Sequence, residues 1–296
     1  MSAAPDATIV IRCRDEARSL GPVLAAVLAQ EGAPPFEVLA LDSGSRDGTL
    51  DLLARQPVRV EHLAPEAFTY GAALNRGAAL AHGAVVVYLS AHCRPLDARW
   101  LARLLAPLVD PHVVASFGRQ VPVPAVNPIE AIATRRNFPP APPAAVLFST
   151  ANGATRRAAV LSRPFDEEIP IAEDHLWAAA HPPSRIVYVP DAVVAHSHPM
   201  SLAAWRARFY AHGLAAQYAR LRRGVTLPWG DPGDTARGVV LGRAGAFVRL
   251  VAALARDGEV RAIGHLPGYA LARTLAYTRG LRDGARRWAA SHGEAA

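Results

Sequence analysis

The sequence predicts an α/β protein: a doubly wound, mostly parallel, Rossmann-like sheet followed by a helical C-terminal extension. Three observations predict it. Short apolar stretches alternate with helical ones four times between Thr8 and Leu108, on short connections, which is the pattern of a parallel sheet. The run Ala84 to Leu89 is uninterruptedly apolar and β-branched at its centre, as strands buried on both faces are. Beyond about residue 226 the chain becomes rich in Arg, Ala and Gly and helical in character.

The elements follow in order. Thr8 to Arg12 is a short apolar strand leading into the polar stretch 12–16. Ser19 is placed to cap a helix whose apolar residues Leu20, Val23, Leu24, Val27 and Leu28 recur at helical spacing, and Gly32, Pro34 and Pro35 end it. Phe36 to Leu41 is the second strand, and Asp47 can cap a helix from Thr49 to about Ala54. Val58 to Val60 makes a third strand, and a helix over 71–81 follows with Gly71 and Gly77 inside it. The central strand 84–89 stops at Ser90, Ala91 and His92, because Pro95 prevents its continuation, and a helix over 97–108 comes next. After Val121 the rhythm changes. Residues 121–145 are proline-rich and read as a long loop beside a site, 145–150 as a strand, and Asn152-Gly153 as a turn. Glu173 to Ala180 reads as a short helix, Ile186 to Val189 and Ala192 to Ala195 as strands, and Met200 to Leu221 as a longer helix. The expected division is one domain over 1–225, its halves meeting near residue 120, and a basic extension over 226–296.

Composition narrows the chemistry. With 296 residues and 51% hydrophobic content the chain can bury one large core, or one core and a smaller lobe. Two cysteines, Cys13 and Cys93, form no disulfide framework and no CxxC pair, and residues 1–8 carry no secretory pattern, so a cytoplasmic, reducing location is expected. All 32 Lys+Arg residues are arginine. That excludes a P-loop lysine and Schiff-base chemistry, and neither a GxSxG nor a GxGxxG motif is present. Residues 1–200 hold 17 Arg and 19 acidic residues, whereas 201–296 hold 15 Arg and 6 acidic residues. A basic last third suits an anionic partner such as a nucleotide or the inner face of a membrane. Nucleic acid is not expected, since basic and aromatic residues do not interleave. Residues 238–255 are cut by Arg243 and Arg249 into apolar runs too short for a span of about 20 residues.

Ligands of open α/β sheets sit outside the carboxyl ends of the strands. Asp42 and the trio Ser90, Ala91, His92 end neighbouring strands, so their side chains are expected on one rim. A carboxylate there suits a ribose or base edge, or else simply closes a turn. Glu173-Asp174 opens a helix that carries Trp177, the pairing of acids and aromatic from which a general base and a sugar-stacking surface are built, although acids at that place also cap helices. His196-Ser197-His198 follows a strand. Alternate residues of an extended chain share a face, so both imidazoles can converge on a metal, or serve only as polar strand-end residues. Asn75, between Gly71 and Gly77, either approaches a ligand or belongs to a loosely packed helix.

In order along the chain, Val10-Ile-Arg-Cys-Arg-Asp-Glu16, Leu41-Asp-Ser-Gly-Ser-Arg-Asp-Gly-Thr49, Phe68-Thr-Tyr-Gly-Ala-Ala-Leu-Asn75-Arg-Gly77, Leu89-Ser-Ala-His92, Phe117-Gly-Arg-Gln120, Asn152-Gly-Ala, Glu173-Asp174 and His196-Ser-His198 resemble the family 2 inverting glycosyltransferases of the GT-A fold. The resemblance is collinear over residue 8 to about 215. It implies a nucleotide-diphosphate-sugar donor and a hydroxyl acceptor, such as a cell-surface glycan, a lipid-linked sugar or a secondary metabolite. Asp174 is then the general base. Arg12, Glu16, Asp42, Ser43, Asn75, Ser90, Ala91, His92 and Arg119 line the nucleotide sugar, and Asn152, Glu173 and Trp177 meet the acceptor or the sugar. The family usually has Asp-x-Asp where this chain has Ser90-Ala91-His92. Either a divalent metal, Mn²⁺ or Mg²⁺, is held weakly by His92 with His196 or His198, or the arginines Arg76, Arg119, Arg156 and Arg208 meet the diphosphate instead. The weakly held metal is the expectation taken. The Ser-Ala-His version resembles a bacterial rhamnosyltransferase-like subgroup. A catalytically silent nucleotide-sugar-binding scaffold and a nucleotidyltransferase are the competing readings, and a homodimer is compatible with either.

Overall fold

The computed structural model describes residues 5–123, 127–141, 148–196, 201–227, 248, 250–256 and 260–292. The chain forms two compact units, one of residues 1–123, 134–168 and 173–197, the other of 124–133, 169–172 and 198–296.

The first unit is built on an eight-stranded sheet in the order β3-β2-β1-β4-β7-β6-β8-β5. Its left half is parallel: β1 (Ala7–Cys13) lies between β2 (Phe36–Asp42) and β4 (Val85–Ser90), and β3 (Arg59–His62) flanks β2. Register sets Cys13 opposite Asp42 and Arg12 opposite Ser90, so three strands end on one rim, as the expected fold requires. The short β5 (Arg94–Pro95) pairs with β8 (Ile186–Ala195), which runs parallel to β6 (Ala115–Val121).

Alternation sorts the core into two layers. Ile9 and Ile11 face one side of the sheet with Leu20, Leu24 and Trp100 from α1 (Ala17–Leu28) and α4 (Trp100–Leu105). Val10, Tyr88 and Phe117 face the other with Leu74 and Trp177 from α3 (Tyr70–Leu80) and α7 (Glu173–Ala179). Helix α2 (Thr49–Leu53) follows β2. The glycines of α3 serve packing: a Cβ on Gly77 would stand 2.7 Å from Val10 Cγ1, and one on Gly71 would stand 2.2 Å from the carbonyl oxygen of Asp166.

Several expectations change. Asn152-Gly153 is not a turn but the start of β7 (Asn152–Arg156), antiparallel to both β4 and β6. The segment read as one proline-rich loop contains α5 (Pro128–Asn137), and α6 (Arg157–Ser162) follows β7. The two strands expected across Pro190 are the single strand β8, which accommodates the proline through a register shift between Gly118 and Gln120 of β6. Of the strand expected over 145–150, residues 145–147 lie outside the described residues and 148–150 are not in a strand. Ser19 lies inside α1 rather than capping it, and Asp47 Oδ2 accepts from the Ala17 amide at 3.0 Å in its place.

In the second unit, α8 (Leu202–Arg223) packs on α9 (Val260–His292). Ser201 caps α8 at its start and Gly224, at φ +63°, ends it. Gly213 and Gly280 let the two backbones touch, since a Cβ on either would meet a carbonyl oxygen at 2.2 Å. Helix α8 lies with α9 in the second compact unit. No helix among the described residues is long and apolar enough to cross a membrane.

Candidate active site

The β1–α1 loop carries Glu16 to the rim. Its Oε1 accepts from His92 Nδ1 at 2.9 Å, and its Oε2 is held by the Ser19 hydroxyl. Burial would raise the Glu16 pKa, but the hydrogen bonds from His92 and Ser19 outweigh it and hold the carboxyl below its usual range. The His92 ring stacks on His196, with centroids 5.2 Å apart and planes 28° from parallel. His196 Nδ1 lies 2.6 Å from Gln120 Oε1, whose own amide donates to Ser149 Oγ at 3.0 Å. Because both Nδ1 atoms face acceptors, each neutral ring carries its proton there and presents Nε2 as the basic nitrogen.

Arg12, which stands opposite Ser90 in the register of β1 and β4, lies beside the acidic pair. Its Nη1 stands 3.8 Å from Glu173 Oε1, and its guanidinium lies 5.5 Å above the Tyr70 ring. Nη1 is buried, and it makes no hydrogen bond among the described residues. Glu173 is only 5% exposed. Burial, and then the adjacent Asp174 carboxylate, push its pKa up to about 7 against the opposing pull of Arg12. Asp174 is treated differently. Burial again favours the neutral acid, but the His175 charge, the His175 ring donor at 2.8 Å and the amides of Thr150 at 3.2 Å and His175 at 2.8 Å win, so its carboxyl stays below the usual aspartate value. Thr150 and Ala151 sit beside the end of β4, for the Ser90 amide donates to the Ala151 carbonyl at 3.3 Å. The acidic pair therefore shares a rim with Ser90 and His92.

Two non-glycine residues among those described have positive φ: Asp15 at 54° and Ala172 at 74°. Each immediately precedes a glutamate of this cluster, Glu16 and Glu173. Left-handed backbone at such residues costs on the order of 1–3 kcal/mol and persists where the surroundings impose it, characteristically at sites that do chemistry.

The glycosyl transferase family 2 model matches residues 8–169, more than half of the chain. The chain belongs to that family. Within this family 2 protein, 201 residues are 27% identical to the O-antigen chain rhamnosyltransferase RfbN of Salmonella typhimurium, a match over 62% of this chain and 63%, less than two thirds, of that relative's length. The fold is that of the GT-A glycosyltransferases. It superposes on the mannosyltransferase PcManGT of Pyrobaculum calidifontis, solved with GDP-Man and Mn²⁺, at a TM-score of 0.58 with 19% identity, over 93% of this chain and 88% of that one. Glucosyl-3-phosphoglycerate synthase of Mycobacterium tuberculosis, solved with Mn²⁺, UDP-glucose and phosphoglyceric acid, gives 0.56 with 17% identity over 76% and 82%. TarS of S. aureus gives 0.52 with 16% identity over 95% and 91%.

Other residues singled out in the sequence of this family 2 chain are placed differently. Asn152 is fully buried: its Oδ1 accepts from Trp100 Nε1 at 2.9 Å, and its Nδ2 donates to the carbonyls of Arg119 at 3.1 Å and Ala192 at 3.0 Å. Its donors are consumed in bracing β7 against its neighbours, so the expected ligand contact gives way to a structural role. Trp177 corrects the stacking surface: it is 3% exposed, donates to the Arg163 carbonyl at 2.7 Å and packs on Phe148 and Phe165. Asn75 mimics a strand partner to Phe165, with its amide 2.9 Å from the carbonyl and its oxygen 2.9 Å from the amide nitrogen, and so pins α3. Asp42 is 1% exposed; its Oδ2 accepts from Gly44 at 3.0 Å and Ser45 at 3.2 Å, which is the turn-closing role, and Ser43 Oγ bonds the Cys13 carbonyl at 3.3 Å. Arg119 keeps a buried Nε without a hydrogen-bond partner among the described residues. Arg156, one of the arginines offered for the diphosphate, spends its guanidinium on the carbonyls of Leu108, Asp110 and Val113. His198 lies outside the described residues. His175 has no sequence signal of its own, and Gln120 enters the sequence reading only as the last residue of Phe117-Gly-Arg-Gln120, with no role assigned to it.

Proposed function

We propose that this chain transfers a sugar, of rhamnosyl or mannosyl type, from a nucleotide-diphosphate donor to a hydroxyl acceptor with inversion at the anomeric carbon, and that Asp174 is the base. The observation that carries the reading is the His196–His92–Glu16 cluster at the strand ends, together with Arg12 placed opposite Ser90 and 3.8 Å from Glu173 of the acidic pair. A buried cationic donor such as Arg12 Nη1 suits the diphosphate, where the reaction sheds most charge. The rhamnosyltransferase relative and the family 2 membership support the sugar and the reaction class.

In the transfer step the acceptor oxygen bonds to C1 of the sugar as its proton passes to Asp174 Oδ2, the carboxylate oxygen that accepts from the Thr150 amide. The bond from C1 to the phosphate oxygen breaks on the opposite face, and its electron pair leaves with the diphosphate. A carboxylate held below its ordinary pKa is ready to accept at neutral pH, and the hydroxyl acidifies as it attacks. His175 holds Asp174 in orientation through Nδ1. Glu173, protonated for part of the time near pH 7, can donate to a sugar hydroxyl as well as accept from one.

The metal expectation meets a partial fit. No cluster of three or more His, Cys, Asp or Glu suited to a metal occurs among the described residues. Both imidazoles nonetheless have Nδ1 anchored, on Glu16 and on Gln120, the kind of support that orients metal-ligating histidines. His92 and His196 would therefore hold a divalent ion, whose contribution is to offset the diphosphate charge. Nucleoside diphosphates and sugar donors, screened by thermal shift with and without Mn²⁺ and then assayed with acceptors, test the proposal. Transfer with an inverted anomeric proton in the product, lost by a factor of about 10²–10⁴ in Asp174→Asn, is the expected result. Full activity in a folded Asp174→Asn chain overturns the assignment.

A further inference from the structure

We propose that the exposed stripe of α9 is a docking face for an anionic lipid surface. At 100° per residue, Leu271, Leu275, Arg279, Arg282 and Arg286 fall within an arc of about 80° on one side of the helix. All five are exposed: Leu271 and Leu275 are each 60% accessible, and the side chains of Arg279 and Arg286 are 79% and 75% accessible. The opposite side of the helix carries Tyr277, Gly280 and Leu281, which pack on α8 through Ala216 and Gly213. The buried face is thus already satisfied, and the leucines are in excess of what folding uses.

The occupant follows from charge. Asp283 is the one acidic residue in α9, and its carboxylate is engaged by the Tyr210 hydroxyl at 2.9 Å and by Arg279 and Arg286. The stripe stays strongly positive. A second copy of the chain laid on it by a two-fold axis brings more arginines and no acidic residue to meet them. An anionic bilayer meets both halves of the pattern: the leucines enter the boundary between headgroups and acyl chains while arginines pair with lipid phosphates, their stems lying along the apolar layer. From Leu271 to Arg286 the stripe is about 22 Å long, enough for the helix to lie along the surface. The basic composition of the last third of the sequence suits an anionic partner, and α9 supplies the face on which its arginines and leucines are gathered.

Flotation of the full chain with vesicles tests the proposal. The chain should float with phosphatidylcholine vesicles containing about one third phosphatidylglycerol at low salt, should not float with pure phosphatidylcholine, and should be released near 1 M salt, where the screening length falls to about 3 Å. The triple variant Arg279→Glu, Arg282→Glu, Arg286→Glu and the double variant Leu271→Ser, Leu275→Ser should each bind at least tenfold less. Circular dichroism melting equal to the parent's would show that these exposed substitutions leave the fold intact. Equal flotation of folded variants, binding to neutral vesicles as strong as to anionic ones, or no flotation at all overturns the proposal. So does a dimer in light scattering that the leucine variants dissociate while vesicles are ignored, which would make the stripe a self-interface.

Discussion

Replacing Glu173 by glutamine isolates the electrostatic cost of the acidic pair. Glu173 is 5% exposed, adjoins Asp174 and has the Arg12 guanidinium 3.8 Å away, beyond hydrogen-bond reach. Burial and Asp174 raise its pKa from 4.5 to about 7. Between those values the folded chain keeps a proton that the unfolded chain has released, so stability falls as pH rises through that window. At about 1.4 kcal/mol per tenfold change, the interval amounts to about 3 kcal/mol. Glutamine mimics the protonated side chain at every pH. The E173Q chain should therefore match the parent near pH 4.5 and exceed its stability by about 3 kcal/mol near pH 8. Asp174 acts in the opposite sense: its carboxyl is held below the ordinary 3.8, so its contribution is present at higher pH and lost only as pH falls through its folded value, outside this window. Urea unfolding followed by tryptophan fluorescence, with Trp177 one turn further along the same helix, reads the difference across this range. A gap that is constant with pH, or that widens toward acid, refutes the reasoning.

Two further substitutions test neighbouring parts of the account. Asn152→Ala strips partners from Trp100 Nε1 and from the carbonyls of Arg119 and Ala192 at a fully buried position; at about 1–3 kcal/mol for each unsatisfied group, a loss of about 3–5 kcal/mol is expected in equilibrium denaturation, and a loss under 1 kcal/mol would show that water or repacking replaces the amide. His92→Ala removes one of the two stacked imidazoles, so any rise in melting temperature produced by Mn²⁺ in the parent should vanish while the melting temperature without metal changes little.

Much of this architecture is legible in the sequence because it is local. Three of the four parallel strands, β1, β2 and β4, announce themselves as apolar runs, and the residues at their ends land on one rim through register, as Arg12 opposite Ser90 illustrates. The acidic pair is legible from its place at a helix start. What could not be read depends on partners distant in sequence. Asn152-Gly153 has turn composition, yet Gly153 is small because Phe148 and the Ser149 carbonyl press on it inside a strand. Trp177 carries the composition of a sugar platform, and only the meeting of Phe148 and Phe165 around it makes it core. Gln120 gains its role solely because β6 and β8 pair, which sets its oxygen against His196.

The central claim is that the strand-end cluster of Arg12, Glu16 and His92 receives the diphosphate while Asp174 faces the reacting carbon. A crystal structure with a nucleoside diphosphate, Mn²⁺ and an acceptor tests it most directly. The account predicts phosphate oxygens in contact with Arg12 and with the His92–His196 pair, and the acceptor hydroxyl within hydrogen-bond reach of Asp174 Oδ2. A nucleotide bound away from that rim, or an acceptor hydroxyl directed at any other base, would contradict it.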